Sequence, residues 1–226
     1  MTTKPDIFLP VKPEHINQNF GDNIPCVKNF GLSNQVVVDG LNNNTCPAGF
    51  DKLYAHFGMS GHNGTDLKAG EQNIYAGLGG KVIEKQIVPA RGLGLGILTD
   101  EQYDFGPLGV HYLKLRYWHL KSFYCEVGDV IKPGQLIGIS DNTGYSSANH
   151  LHFEGQPMDK DAGGHPVYVW TNAAFPPGVI AGAIDIAPYF NGKFAEDIPK
   201  LISLDTALVG LLIKIINLIK SRQNKV

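Results

Sequence analysis

Two histidines stand one residue apart in the stretch Asn149–Glu154, which reads NHLHFE. If this stretch is a β-strand, side chains at positions i and i+2 point to the same face, so His150 and His152 lie side by side. Leu151 and Phe153 would then point to the opposite face, into a core. Two imidazoles that face one space can hold a metal ion, or a metal ion and a base. A histidine pair alone also fits ordinary surface or core positions, so the hypothesis needs partners elsewhere in the chain.

Further candidate ligands lie upstream, in the stretch Gly61–Asp66, which reads GHNGTD. His62 and Asp66 are four residues apart with Gly64 between them, which favours a turn or the start of a strand over a helix. On an extended backbone the two positions have the same parity and can share one face. A catalytic zinc site has three protein ligands and one open position for water, so His62, Asp66 and one histidine of the downstream pair would complete such a set.

Another candidate, His119, lies in a third apolar segment, YWHL at residues 117–120. Simple alternation along a strand places His119 on one face with Leu115 and Tyr117. The residues expected on the other face are Arg116, Trp118 and Leu120. Four histidines and one aspartate therefore lie in three separate β-like segments, which is more than scattered polar residues would provide.

The composition excludes one class of function and favours a β fold. The chain has 19 basic and 21 acidic residues and a net charge of −2, whereas general nucleic-acid binding needs a strongly basic face. The 27 glycines and 14 prolines, with many short runs of Val, Ile, Leu and Tyr between them, are typical of a turn-rich β protein. The 226 residues suffice for one large domain, with or without appendages.

Three cysteines, Cys26, Cys46 and Cys125, lack the spacing of a zinc knuckle or of a redox CxxC motif. Cys26 and Cys46 could form a disulfide if the protein works outside a cell, and three free thiols are the alternative. Cys125 lies in an apolar, strand-like run, which indicates a core position.

The pattern along the chain predicts a sheet built from hairpins, with a pair of turns around Val130-Ile131. Strands are predicted at 80–88, 93–100, 110–120 and 135–140. Residues 1–50 are expected to be irregular with a few short strands, and residues 156–187 to form a loop excursion with a hairpin. A different pattern follows at 201–220, where apolar residues recur in steps of three and four, as on an amphipathic helix.

Taken together, the motifs resemble those of the lysostaphin-type (LytM-like) zinc metallopeptidases. The resemblance rests on GHNGTD at 61–66, YWHL at 117–120 and the frame VGDVIKPGQLIGISDNTGYSSANHLHFE at 127–154. These carry the family's His-x-x-x-Asp, Tyr-x-His-Leu and His-x-His in the family's order, with Asp141 where the family often has glycine. The resemblance is strong over about residues 55–155, weakens over 15–54 and 156–190, and does not include the tail helix.

The resemblance implies a mainly β fold in which an antiparallel sheet carries an open groove. It implies a metallopeptidase domain over 15–190, preceded by an amino-terminal extension of residues 1–14. A linker and the amphipathic helix over 191–226 would follow. The loops expected to wall the groove are 140–147, 156–187 and parts of 88–110. These loops depart from the family, so the resemblance does not identify the bond that is cut.

The resemblance also implies a role for each motif residue. His62, Asp66 and His152 would bind one zinc ion, whereas His150 would not bind it. His150 and His119 would line the site and act on the water and on the tetrahedral intermediate. The implied activity is that of an endopeptidase that hydrolyses peptide cross-links of bacterial peptidoglycan, so the expected partners are peptide stems or cross-bridges.

Three further residues are candidates for the surroundings of the site. Glu154 shares the parity of His152 and could accept the second ring N–H of that ligand, with a solvated carboxylate as the alternative. Tyr117 could line the groove, although core packing is favoured, and His56 could lie at the rim. The histidines without a partner at motif spacing are His15, His111 and His165.

The amino terminus bears on where the chain acts. Its first residues, MTTKPDIFLPVKPEHINQNFG, contain no apolar run of signal-peptide length. A hydrolase of the cell wall without an export signal is expected to be a bacteriophage lysin or a virion-associated enzyme. The alternative is a structural virion or wall-binding component that keeps the peptidase fold and has little activity.

The apolar face of residues 201–220 needs a partner. Packing on its own domain is favoured, followed by self-association or docking into a larger assembly, and then by contact with a membrane surface. The run is interrupted by Lys214 and Asn217 and is too short to span a bilayer.

Overall fold

The computed structural model describes residues 2–22, 54, 58–89, 91–144, 146, 148–170, 175–199 and 215. These residues contain fourteen strands and three short 3-10 helices. The strands are β1 (Ile7–Leu9), β2 (His15–Gln18), β3 (Thr65–Lys68), β4 (Asn73–Tyr75), β5 (Gly80–Val88), β6 (Gly92–Asp104), β7 (Val110–Phe123), β8 (Val130–Ile131), β9 (Leu136–Ser140), β10 (Leu151–Lys160), β11 (Pro166–Tyr168), β12 (Val179–Ile180), β13 (Ala183–Ile184) and β14 (Phe190–Phe194). The 3-10 helices are Gly106–Leu108, Ala187–Tyr189 and Ala195–Asp197.

Four long strands form the centre of the main sheet, in the antiparallel order β10-β7-β6-β5. The prediction of a mainly β, antiparallel fold is confirmed, and the predicted strands correspond to β5, β6, β7 and β9. β6 and β7 extend beyond their predicted ends, to Asp104 and Phe123. In β6 the reason is the hairpin with β7, because Gln102 still pairs with Tyr112 and Asp104 with Val110.

β10 has neighbours on both sides, and its first eight residues are all buried. It pairs with β7 along most of its length, and its other edge pairs with β3 near its start and with β13 further on. Leu151 and Phe153 belong to the hydrophobic core, as predicted from alternation. The opposite face of the strand carries His152, Glu154 and Gln156, and these polar side chains are also buried.

The loop excursion expected over 156–187 begins later than predicted, because pairing with β7 continues past Gln156 and β10 extends to Lys160. A hairpin with β11 follows, as expected for this part of the chain. β12 and β13 form a second small hairpin, which returns to β10 through the pair Gly155–Ile184.

The amino-terminal residues belong to the same core. β1 pairs in parallel with β14, and Ile7 and Val11 are buried members of the core cluster. Part of the expected extension 1–14 and the start of the expected linker thus pack against the same core. Their apolar side chains provide the reason, because Leu9 and Phe190 also pack against the core.

Several expectations lie outside the described residues, among them those for Cys26, Cys46 and His56. The same holds for the predicted helix at 201–220 except at Ile215, which is helical and 46% exposed. Cys125 is buried with a free thiol, as predicted. In the described part of the chain, no helix combines the length and the hydrophobicity needed to cross a membrane.

Ile7→Ala tests whether the amino-terminal strand is part of the core. Ile7 is fully buried, so the substitution is expected to lower the free energy of unfolding by about 2–5 kcal/mol. The matched control is Ile87→Ala on β5, because Ile87 is 78% exposed and its loss is expected to cost less than about 0.5 kcal/mol. Urea unfolding followed by circular dichroism measures both; equal effects would contradict the packing described here.

Candidate metal centre

Asp66 and His152 are brought together by strand register. They are directly opposite residues of the antiparallel strands β3 and β10. Opposite side chains stand on the same face of a sheet with their Cβ atoms about 4.5–5.5 Å apart. In the folded chain Oδ1 of Asp66 lies 3.0 Å from Nδ1 of His152. Two of the candidate ligands are therefore adjacent because of the sheet itself.

His62 reaches the same place from the segment before β3. Its backbone is held on both sides, since its N–H donates to the carbonyl of Asp22 and its carbonyl accepts from the N–H of Gly21. Gly64 lets the chain pass close to the ligands, because a Cβ at this position would lie 2.7 Å from Nε2 of His152. A side chain there would displace the ring of this candidate ligand, so glycine is required between His62 and β3.

The three ligand atoms form a small triangle. Nε2 of His62 lies 2.9 Å from Nδ1 of His152 and 3.2 Å from Oδ1 of Asp66, and the third side is 3.0 Å. A tetrahedral site with ligand bonds of about 2.0–2.1 Å has its ligand atoms about 3.3–3.4 Å apart. All three residues are buried. The triangle thus has nearly the dimensions of one face of a tetrahedral metal site.

Outer hydrogen bonds determine which ring nitrogens carry protons. Nδ1 of His62 lies 3.1 Å from the carbonyl oxygen of Asn19, to which it can only donate. Nε2 of His152 lies 3.3 Å from Oε2 of Glu154, a carboxylate oxygen that accepts. When both rings are neutral, the nitrogens that face each other therefore carry lone pairs, and they meet a carboxylate oxygen of Asp66. Three electron-pair donors converge on one point, an arrangement that fits a bound cation.

The electrostatics of the site agree with this donor arrangement. Burial alone would raise the pKa of Asp66, but hydrogen bonds that His152 and His62 donate when a proton occupies a facing nitrogen hold it well below its usual value. Burial disfavours a charged His152, but its hydrogen bonds to Asp66 and Glu154 outweigh burial and raise its pKa to about 9. Positive charge is therefore favoured at this point, and either a proton or a metal ion can supply it.

His150 and His119 lie beside the triangle. Nδ1 of His150 is 2.8 Å from the carbonyl oxygen of Ala148 and 3.0 Å from Oγ of Ser146. Nε2 of His150 is 3.6 Å from Oδ2 of Asp66, the oxygen that does not face the triangle. The ring of His119 is 4.6 Å from the ring of His150, centroid to centroid. The structure thus brings together all five residues singled out by the motifs.

His119 reaches the site through an irregularity in β7. Its φ is +64°, in the left-handed region that residues other than glycine rarely adopt. The register against β6 shifts between Tyr117 and Leu120, and both of these residues point into the core. The alternation predicted for this segment is therefore wrong. Without the bulge, His119 would share the core face of Tyr117 instead of facing the site.

The ring of His119 is neutral and has a fixed orientation. Its Nδ1 donates to the carbonyl oxygen of Thr143 at 2.6 Å, which leaves a lone pair on Nε2. Burial, together with the charges of His150 and His152, lowers the pKa of His119 to about 3. His119 therefore presents a hydrogen-bond acceptor to the site.

The weaker candidates have different positions. Glu154 is fully buried beside His152, so the alternative of a solvated carboxylate is wrong. Tyr117 lies in the core and not in the groove, with its ring 5.0 Å from that of Phe153 and its hydroxyl accepting from the N–H of Gly77. Core packing was the favoured alternative for this residue.

Three residues of the site region were missed by sequence reasoning. Asn19 orients His62, whereas Asn63 and Arg116 both bind Glu154. Arg116 is directly opposite Glu154 in the pairing of β7 with β10, so only knowledge of that register could have identified it. Asn63 lies between two motif residues, but its type alone gives no signal.

Comparisons with known proteins agree with the site. Residues 60–163, which include all five motif residues, match Peptidase family M23. The chain is 54% identical over 46 residues to the Glycyl-glycine endopeptidase ALE-1 of Staphylococcus capitis, a match that spans 20% of this chain and 12% of that protein. It is 34% identical over 94 residues to the Peptidoglycan DD-endopeptidase ShyB of Vibrio cholerae, which spans 41% of this chain and 20% of that protein.

Among the solved structures similar to this chain is the catalytic domain of the antimicrobial peptidase lysostaphin from Staphylococcus simulans. It is 26% identical in sequence, and the superposition covers 57% of this chain and 79% of that chain with a TM-score of 0.41. The chain spans only a small part, 12% and 20%, of the two curated relatives.

Substitution within the histidine pair separates a ligand from a neighbour. His152→Ala removes one corner of the triangle and is expected to reduce bound metal from about one ion per chain to near zero. His150→Ala is expected to keep the metal, because Nε2 of His150 faces the outer oxygen of Asp66. Mass spectrometry of the native protein measures the content, with His111→Ala as the control, since His111 pairs with Asp159 instead. An empty site in His150→Ala would refute this assignment.

Proposed function

We propose, from the premise that residues 60–163 form a Peptidase family M23 domain, that the chain is a zinc-dependent endopeptidase that hydrolyses peptide cross-links of bacterial peptidoglycan. The observation that carries the proposal is the convergence of His62, Asp66 and His152 beside two further imidazoles. Two of the relatives support the substrate class, because their names describe a glycyl-glycine endopeptidase and a peptidoglycan DD-endopeptidase.

The donor set supports zinc as the metal. Two imidazole nitrogens and one carboxylate oxygen are ligands that zinc accepts, and three protein ligands leave a position open for reaction. Bound there, zinc would polarise a peptide carbonyl and lower the pKa of a water molecule to about 7. The carboxylate of Asp66 offsets one of the two positive charges of the ion.

We assign proton transfer to His150 and His119. Each ring uses Nδ1 to bind a backbone carbonyl, that of Ala148 or of Thr143, and so each presents an Nε2 with a lone pair. We assign the acceptance of a proton from the attacking water to His150, because a pKa of about 3 makes His119 a poor proton acceptor. A ring that has gained this proton is a donor, which can stabilise the oxyanion of the tetrahedral intermediate or protonate the leaving amine.

The expected origin and partners of the chain rest on its sequence alone. That the enzyme is a bacteriophage lysin or a virion-associated hydrolase stays a prediction, as does its alternative, a structural or wall-binding component with little activity. Self-association or assembly through residues 201–220, and membrane contact by the same residues, also stay predictions. Identification of the cleavage products will determine which peptide bond is cut.

Metal removal tests the proposed activity. Treatment with a chelator is expected to abolish the release of new amino termini from purified peptidoglycan, and added zinc is expected to restore it. Sequencing of the released termini identifies the bond. The control is His152→Ala, in which zinc is expected to restore nothing because a ligand is missing. Cleavage that continues after mass spectrometry shows the metal to be gone would contradict the proposal.

Substitution of the two neighbouring histidines tests the assignment of proton transfer. His150→Ala and His119→Ala are each expected to lower kcat by about 10²–10⁴-fold, the usual contribution of general acid–base catalysis, while zinc stays bound. Wall cleavage and zinc content are measured on the same samples, with His111→Ala as the control. Near wild-type cleavage in either variant would remove that histidine from the mechanism. Bound zinc without cleavage by the wild-type chain on several wall types would favour the wall-binding alternative.

A further inference from the structure

Glu154, which accepts the outer N–H of His152, is itself held from two sides. Arg116 donates through Nη1 to Oε1 at 2.5 Å, and Asn63 donates through Nδ2 to Oε2 at 2.6 Å. Oε2 is also the atom that lies 3.3 Å from Nε2 of His152. Each oxygen thus has its own donor, which leaves the carboxylate one orientation toward the ring of His152.

Arg116 is fixed in its turn. Its Nη2 donates to Oε1 of Glu84 at 2.8 Å, and the guanidinium lies 4.7 Å from the ring centre of Trp118. A planar guanidinium can bind two carboxylates at once through different nitrogens, which a lysine ammonium cannot match in geometry. Arg116 therefore ties Glu154 on β10 to Glu84 on β5.

Glu154 needs these contacts because its carboxylate is buried. Glu154 is 0% exposed and Arg116 is 5% exposed, so water cannot replace either partner. A carboxylate buried without a counter-charge is strongly disfavoured. The two residues are directly opposite each other in the pairing of β7 with β10, two residues along the strands from the pair formed by Trp118 and His152. The contact thus lies immediately beside the candidate ligand, on the same face of the sheet.

We propose that Arg116 is a positioning residue for the metal centre: through Glu154 it fixes the ring of His152 and keeps its proton on Nε2, so that Nδ1 is free to bind the metal. Arg116 touches neither the triangle of ligand atoms nor the reacting groups. The inference rests on the proposed function only in that His152 is a metal ligand. Loss of an outer partner of this kind typically weakens metal affinity by about 10–100-fold.

The dissociation constant of zinc tests this role without reference to activity. Arg116→Met is expected to weaken zinc binding by about 10–100-fold. The matched control is Lys114→Met. Lys114 is a buried cation on the same strand and the same face, and it also donates to Glu84, but no bond joins it to Glu154. Its loss is expected to leave zinc affinity at the wild-type value. Affinity is measured on the full chain by competition with a chromophoric chelator.

Two further variants separate positioning from folding. Arg116→Met/Glu154→Gln removes both charges of the pair, so it avoids an unpaired buried carboxylate. It is expected to fold, as judged by circular dichroism, and still to bind zinc about 10–100-fold more weakly. Arg116→Lys keeps the charge and is expected to recover part of the affinity. The visible spectrum of cobalt-substituted protein reports ligand geometry; it is expected to change in the double variant and to stay unchanged in Lys114→Met.

The outcomes distinguish this inference from the proposed function. Wild-type zinc affinity and an unchanged cobalt spectrum in the folded double variant would overturn the role of Arg116 and leave the endopeptidase proposal intact. A wild-type chain that binds zinc but cleaves no peptidoglycan would overturn the endopeptidase proposal, while the affinities would still decide about Arg116. A wild-type chain that binds no zinc would overturn both.

Discussion

Two imidazole nitrogens 2.9 Å apart, with a carboxylate oxygen within 3.2 Å of both, are the arrangement on which the rest of the structure depends. In neutral rings the outer hydrogen bonds place both protons on the far side, so the facing atoms are all electron-pair donors. Such atoms repel one another unless a metal ion or a proton lies among them. The register of β3 against β10 and the glycine at position 64 are the local features that bring them this close.

One loop positions the two remaining histidines beside the candidate ligands. The N–H of Asp141 donates to the carbonyl of His119, and the N–H of His150 donates to the carbonyl of Asp141. His119 also bonds to the carbonyl of Thr143 in the same loop. Its left-handed backbone costs about 1–3 kcal/mol, a type of strain that clusters at functional sites. One segment thus positions both imidazoles to which we assign proton transfer.

Much of the fold was predictable from local patterns. Alternation identified the strand at 80–88 to the residue and placed Leu151 and Phe153 in the core, because the two-residue period of a strand is a local property. The parallel pairing of β1 with β14 was not predicted, because it joins segments about 180 residues apart and neither sequence specifies its partner.

The candidate site, like the fold, was predictable from local sequence patterns only in part. His62 and Asp66 are an even number of residues apart, and so are His150 and His152. On an extended chain such residues point to the same face, so spacing was enough to predict that each pair lies together. The position of His119 could not follow from parity, because one left-handed residue reverses the faces of the strand beyond it. Arg116 was assigned only to the face opposite Tyr117, and its partner Glu154 became apparent only from the pairing of β7 with β10. Side chains that support a site from a neighbouring strand leave no spacing signal.

The most direct test of the account is the position of zinc in crystals of the full chain, located by anomalous scattering at the zinc absorption edge. The account predicts one strong peak per chain, about 2.0–2.2 Å from Nε2 of His62, Oδ1 of Asp66 and Nδ1 of His152, with His150 and His119 outside the coordination sphere. A peak that includes Nε2 of His150 in place of one of these atoms, or the absence of a peak at the triangle in zinc-saturated crystals, would contradict it.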